Sequence, residues 1–137
     1  MVMDLYREQI LEHWQNPLNF GVISDADLVI EQVNPLCGDE VTFYFSFDDK
    51  RLTVNDVRFT GSGCAISIAS ASILSENIRN KKISTLSKIT GEDVLELIGG
   101  PVAPARLKCA FLALEAVRKI QNAKVKSQKY NLKFKTR

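Results

Sequence analysis

Glu40-Val41-Thr42-Phe43-Tyr44-Phe45-Ser46-Phe47 places Val41, Phe43, Phe45 and Phe47 on one parity and Thr42, Tyr44 and Ser46 on the other. Strict alternation of β-branched and aromatic residues with polar ones is the signature of a strand with one buried face. Asp48-Asp49-Lys50 follows as a hairpin turn. Beyond it, Leu52 and Val54 share one parity and Val57 and Phe59 the other, so the pattern slips at Asn55-Asp56. That slip predicts a β-bulge, which would re-aim the end of this strand toward Cys64. Upstream, Leu28 and Ile30 mark a further strand, bounded by Asn34-Pro35. The three strands read as an antiparallel meander.

Helical spacing surrounds the meander. Residues 4–15 carry Leu5, Ile10, Leu11 and Trp14 as the apolar side of an amphipathic helix. Asn16-Pro17 stops it, because the residue before a proline avoids the helical region. The loop Asn16-Pro17-Leu18-Asn19-Phe20-Gly21 follows. From Cys64 onward the chain is helical and rich in Ala and Ser, which lets neighbouring elements approach closely. Lys81 to Lys88 is a loop or short helix. Thr90-Gly91-Glu92-Asp93 caps a helix that ends at Gly99-Gly100-Pro101. Pro104 opens a last long helix, with Leu107, Phe111, Leu114 and Val117 on one face. The expected class is α+β, a three-stranded antiparallel sheet with helices packed on one face. Residues 1–123 form a single domain and residues 124–137 a basic C-terminal tail.

The bulk numbers limit the function. At 137 residues the chain can bury a core without disulfide staples, and its 45% hydrophobic and 25% charged content is ordinary for a globular protein. No apolar run approaches the roughly 18 residues of a membrane helix. Met1-Val2-Met3-Asp4-Leu5-Tyr6 has neither the basic start nor the apolar stretch of a signal peptide, so the expected location is cytoplasmic. Eight Lys or Arg and no acid lie between Arg118 and Arg137. Such a tail suits nucleic acid or an acidic partner, but charge runs at termini are more often solvated. Tyr130 and Phe134 are too sparse for a base-stacking platform, so no nucleic-acid role is expected.

The three cysteines carry the chemistry. They stand in Leu36-Cys37-Gly38-Asp39, Gly61-Ser62-Gly63-Cys64 and Arg106-Leu107-Lys108-Cys109. An odd count argues against a closed disulfide framework. Free cysteines are common core residues, so packing and chemistry are both open on composition. A hairpin returns its two ends to one edge, which makes Cys37 and Cys64 neighbours. Cys64 and Cys109 both fall at helix starts, where backbone N–H groups favour a thiolate. Asp39 can turn toward the same point as Cys37, or cap the turn it sits in. Arg106 and Lys108 are placed to stabilise a thiolate or persulfide, or are simply solvated. Three thiolates and a carboxylate suit a four-coordinate zinc or an iron–sulfur cluster. The single histidine, His13, reads as a surface or packing residue.

With these motifs in view, the chain resembles the IscU/SufU/NifU N-terminal family of iron–sulfur cluster assembly proteins, over nearly its whole length to about Ala123. Tyr6-Arg7-Glu8-Gln9-Ile10-Leu11-Glu12-His13, Asn16-Pro17 and Asn19-Phe20-Gly21 are similar to the family's N-terminal signature. Asn34-Pro35-Leu36-Cys37-Gly38-Asp39 resembles its first ligand loop. Gly61-Ser62-Gly63-Cys64-Ala65-Ile66-Ser67 with Ala69-Ser70-Ala71-Ser72 resembles its second, and Arg106-Leu107-Lys108-Cys109-Ala110 its third. The resemblance implies a scaffold that accepts sulfur from a cysteine desulfurase (SufS-, IscS- or NifS-like). The sulfur is built with iron into a nascent [2Fe–2S] cluster for recipient apo-proteins, or handed to a downstream carrier. It implies Cys37, Asp39, Cys64 and Cys109 as metal and cluster ligands. Cys37 and Cys109, in a loop and at a helix start, are the expected first sulfur acceptors.

The subtype is mixed. Lys108 stands where IscU-type members have a histidine, and the Gly-x-Gly-Cys and Arg-x-Lys-Cys-Ala strings resemble SufU. Yet the chain lacks the SufU insertion between the second and third cysteines. It carries Gly100-Pro101-Val102-Ala103-Pro104 where IscU-type members have Leu-Pro-Pro-Val-Lys. The alternative this leaves is a zinc-dependent sulfurtransferase that relays persulfide sulfur without holding a cluster.

Overall fold

The computed structural model describes residues 2–35 and 38–125, with side chains for residues 8–35 and 38–120. The meander forms as expected: β1 (Leu28–Val33), β2 (Glu40–Phe47) and β3 (Val54–Ser62) make an antiparallel sheet in the order β1-β2-β3. Phe43 pairs with Phe59, and Glu40 with Ser62, so the open end of the hairpin brings residue 39 beside residue 63. The parity slip is also real. Ser46 pairs with Asp56 but Phe47 with Val54, which leaves Asn55 as the extra residue. The bulge lies at the turn end of the hairpin, far from Cys64. Its effect is to let Val54 and Val57 both face the core, each 0% exposed. Leu52 precedes the strand and is exposed instead.

The buried side of the sheet is Leu28, Ile30, Val41, Phe43, Phe45, Val57 and Phe59. The Phe43 ring stacks on Phe45 at 5.8 Å and on Phe59 at 5.7 Å between centroids. Against this face lie α2 (Ala65–Ile78) and α5 (Leu107–Val125). Every residue of α2 from Ser67 to Ser75 is buried, so this Ala/Ser-rich helix is the centre of the helical layer. α1 (Val2–Gln15) and α4 (Gly91–Ile98) cover its other sides, and α3 (Ile83–Leu86) is the short helix expected near Lys81 to Lys88.

Thr90 caps α4 through a capping box. Its side chain accepts from Asp93 N at 3.1 Å, while Thr90 N donates to Asp93 Oδ2 at 2.9 Å. Gly99, at φ 105°, closes the same helix in the left-handed region. Pro104–Arg106 is a single 3₁₀ turn, so α5 proper begins at Leu107 rather than at Pro104.

The apolar face expected of the first helix is only partly right. Ile10 is buried against Ala69, Ile73 and Ile98, but Leu11 and Trp14 are 40% and 44% exposed. Polar contacts set the rotation of α1: Gln9 Nε2 donates to Leu97 O, and His13 Nδ1 meets Ser72 Oγ at 2.7 Å. His13 is thus the packing residue expected of it.

The loop after α1 is pinned in place. Asn19, at φ 60°, lays its segment along β3: Phe59 N donates to Asn19 O at 2.9 Å and Gly21 N to Phe59 O at 2.8 Å. Farther along, Val54 N donates to Lys81 O at 2.9 Å, so segments on both sides cover the outer edge of β3. No helix among the described residues is long and apolar enough to cross a membrane. α5 runs through Val125, and the rest of the expected basic tail lies outside the described residues.

Candidate metal centre

Three elements deliver one donor each to the open end of the β2–β3 hairpin. Asp39 immediately precedes β2, Cys64 is the N-cap residue of α2, and Cys109 lies in the first turn of α5. One carboxylate oxygen and the two sulfurs all lie within 4.8 Å of one another. Among the described residues these are the side chains that could hold a metal ion. The structure thus brings together three of the four expected ligands. Cys37 lies outside the described residues. Of the described residues next to it in sequence, Asn34 N donates to Asp39 O, and Gly38 N to Asn34 O, both at 2.8 Å.

Local sequence explains why Asp39 fits. Gly63 holds φ +156°, and a Cβ there would stand 2.6 Å from Asp39 Cγ, so only glycine leaves room for the carboxylate. Burial by itself would push Asp39 up. The Ser67 hydroxyl, the Cys64 backbone N–H and the Cys109 and Cys64 thiols outweigh it and hold the carboxyl below its usual value. Ser67 Oγ donates to Asp39 Oδ2 at 2.6 Å. The sequence reading did not assign Ser67 a role. The available signal was its place three residues after Cys64, one helical turn on.

The two thiols differ in a way the sequence did not show. Cys109 is 4% exposed, whereas Cys64 is half-buried. Burial first, and then the neighbouring Cys64, push the Cys109 thiol up to about 12. The expectation that its helix start favours a thiolate is therefore corrected: desolvation opposes the charged form more than the helix amides favour it. Its place at a helix start also does not make Cys109 easier to reach than Cys64, the more exposed of the two.

Arg106 is exposed on the 3₁₀ turn, and its guanidinium reaches Cys109 and Cys64, whose sulfurs push its pKa up. Lys108 is exposed, one residue before Cys109.

The donor set fits a metal. Thiolates bind zinc at about 2.3 Å in a tetrahedron, which puts neighbouring thiolates roughly 3.8 Å apart, so small side-chain rotations would close the observed cluster onto an ion.

Residues 5–130 match the family described as NifU-like N terminal domain. The chain belongs to that family. Over 115 residues it is 38% identical to the iron-sulfur cluster assembly scaffold protein IscU 1 of Archaeoglobus fulgidus, covering 84% of this chain and 73% of that one. It is 37% identical over 132 residues to the zinc-dependent sulfurtransferase SufU of Bacillus subtilis, covering 84% of this chain and 88% of the relative. The crystal structure of FiSufU from Fervidobacterium islandicum superimposes with a TM-score of 0.68 at 29% identity, over 83% of this chain and 94% of that one. The expected α+β architecture, IscU/SufU-like, is therefore the architecture of this NifU-like domain. The mixed subtype is mirrored too, since both the scaffold and the sulfurtransferase are relatives at nearly equal identity.

Proposed function

We propose that this chain is an iron–sulfur cluster assembly scaffold that accepts sulfur from a cysteine desulfurase. It holds iron or a nascent [2Fe–2S] cluster on Cys37, Asp39, Cys64 and Cys109 for transfer to apo-proteins. The observation that carries this reading is the convergence of Asp39, Cys64 and Cys109 from three elements to within 4.8 Å, in a chain whose relatives are named for that role. Cys37 supplies the fourth donor, supported by its position two residues before Asp39 in the sequence.

Sulfur enters when a cysteine thiolate attacks the outer sulfur of the desulfurase persulfide. The new S–S bond forms as the old one breaks, and the desulfurase leaves as its thiolate. Cys37 is the proposed first acceptor, with Arg106 and Lys108 as stabilisers of the thiolate or persulfide; Cys109, buried and with its thiol pushed up, serves as a ligand rather than as the acceptor. The reach of Arg106 to both sulfurs supports its part.

Anaerobic incubation with iron, cysteine and a desulfurase tests the proposal. A cluster absorbance on the wild type and a persulfide on at least one cysteine are expected. Absence of both would sink it.

The second reading is a zinc-dependent sulfurtransferase, favoured by the similarity to SufU across 88% of that protein. Bound zinc would keep the ligating thiols deprotonated at neutral pH, against the high pKa that burial imposes on Cys109. This reading expects one tightly held zinc in protein purified without added metal, and desulfurase stimulation that disappears in Cys37→Ala. Metal-free protein that assembles a cluster decides for the scaffold.

A further inference from the structure

Ser67 is fully buried in the first turn of α2, with its hydroxyl 2.6 Å from Asp39 Oδ2 and 3.7 Å from Cys64 Sγ. A serine hydroxyl has a single proton to donate. Given to the carboxylate, it is unavailable to Cys64, so toward that sulfur Ser67 can only accept. A Cys64 thiolate bound to a metal would therefore receive no hydrogen bond from Ser67, while Asp39 would keep its own. The serine also opens the stretch Ser67–Ser75 in which every residue is buried, and its partner Asp39 is wedged over Gly63, where no Cβ fits. Neither side of the pair is free to drift.

We propose that Ser67 is the positioning residue of this centre: by engaging Oδ2 it presents Asp39 to the metal as a one-oxygen ligand. This rests on the metal-centre reading above. Chelation through both carboxylate oxygens would make Oδ2 share its electron density between the metal and the hydroxyl at 2.6 Å, which favours binding through the other oxygen alone. Asp39 is only 6% exposed, so a carboxylate leaving the metal needs a donor inside the protein, and Ser67 supplies one. Partners that orient a metal ligand in this way typically change metal affinity by about 10- to 100-fold when removed.

Cobalt(II) titration of the full chain under anaerobic conditions tests the role, because thiolate and carboxylate ligation report separately in the visible and near-ultraviolet spectrum. Ser67→Ala should keep the thiolate-to-cobalt charge-transfer band. Its tetrahedral d–d bands should weaken as Asp39 turns to two-oxygen binding, and cobalt(II) should bind about tenfold less tightly. In an Asp39→Ala background the same substitution should add nothing. Ser67→Thr, which keeps the hydroxyl, should retain the wild-type bands.

A wild type that binds cobalt(II) without a thiolate band removes the metal centre itself, and the role of Ser67 with it. A normal wild type with an unchanged Ser67→Ala overturns the Ser67 role alone. So does an equal loss in the Asp39→Ala background. A folded Ser67→Thr with the spectrum of the alanine variant places the effect in packing and overturns it as well. If Ser67→Ala does not fold, the threonine variant decides between these outcomes.

Discussion

Cys109 stands in the first turn of α5, where helix amides favour a thiolate, yet it is 4% exposed and its thiol is pushed up to about 12. Position along a helix is worth up to about 2 kcal/mol for a neighbouring charge, whereas burial of a charge moves a pKa by several units. Desolvation wins. Metal-free Cys109 is then overwhelmingly the neutral thiol near neutral pH. Iodoacetamide mapping by mass spectrometry on metal-free protein should find Cys109 modified more slowly than Cys64. Its rate should still climb about tenfold per pH unit between pH 8 and 11. A Cys109 rate that levels off near pH 9 would falsify the burial argument. Asp39 shows the opposite balance: it is nearly as buried, but donors from α2 surround it and the charged form persists.

The decisive element is the β2–β3 hairpin, which places Asp39 beside Gly63 through the Glu40–Ser62 pairing and anchors that register in the core. Phe43 lies at the centre of the anchor, fully buried and stacked on Phe45 and Phe59. Phe43→Ala should cost about 3–5 kcal/mol, the usual range for truncating a core aromatic, read from urea unfolding. A loss under 1 kcal/mol would mean that the stack contributes little. The alternation of residues 40–47, the bulge at Asn55 and the caps of α4 were all legible, because each is a local pattern. The rotation of α1 was not. Leu11 and Trp14 have the right spacing for a buried stripe, but Gln9 and His13 make the contacts that turn the helix.

Across the whole molecule, α1 and its following loop are tied to the helical layer through a few polar contacts. Ser72 Oγ meets His13 Nδ1 at 2.7 Å and accepts from Leu18 N at 2.8 Å. Asn19 and Asp56 share the Arg79 guanidinium, at 3.1 and 2.9 Å. Burial pulls the His13 pKa below its ordinary value, with Glu12 opposing. The unfolded chain therefore takes up this proton first as pH falls. The linked stability is fully present above about pH 6.5 and declines from there toward the lowered folded pKa. Denaturation midpoints of wild type and His13→Gln should converge on acidification from pH 7.5 to 5. Parallel declines would remove His13 from the acid response.

The convergence of Asp39, Cys64 and Cys109, the strand pattern that joins them and the glycine beside Cys64 could all be read along the chain, since they depend on residue type and short-range period. Arg106 was legible in the same way, although a 3₁₀ turn rather than α5 carries it. Which thiol is buried, which charge survives, and the part of Ser67 were decided by packing. Desolvation and hydrogen bonding at Asp39 and Cys109 come from groups on other elements, and a linear sequence does not say which of them will be near.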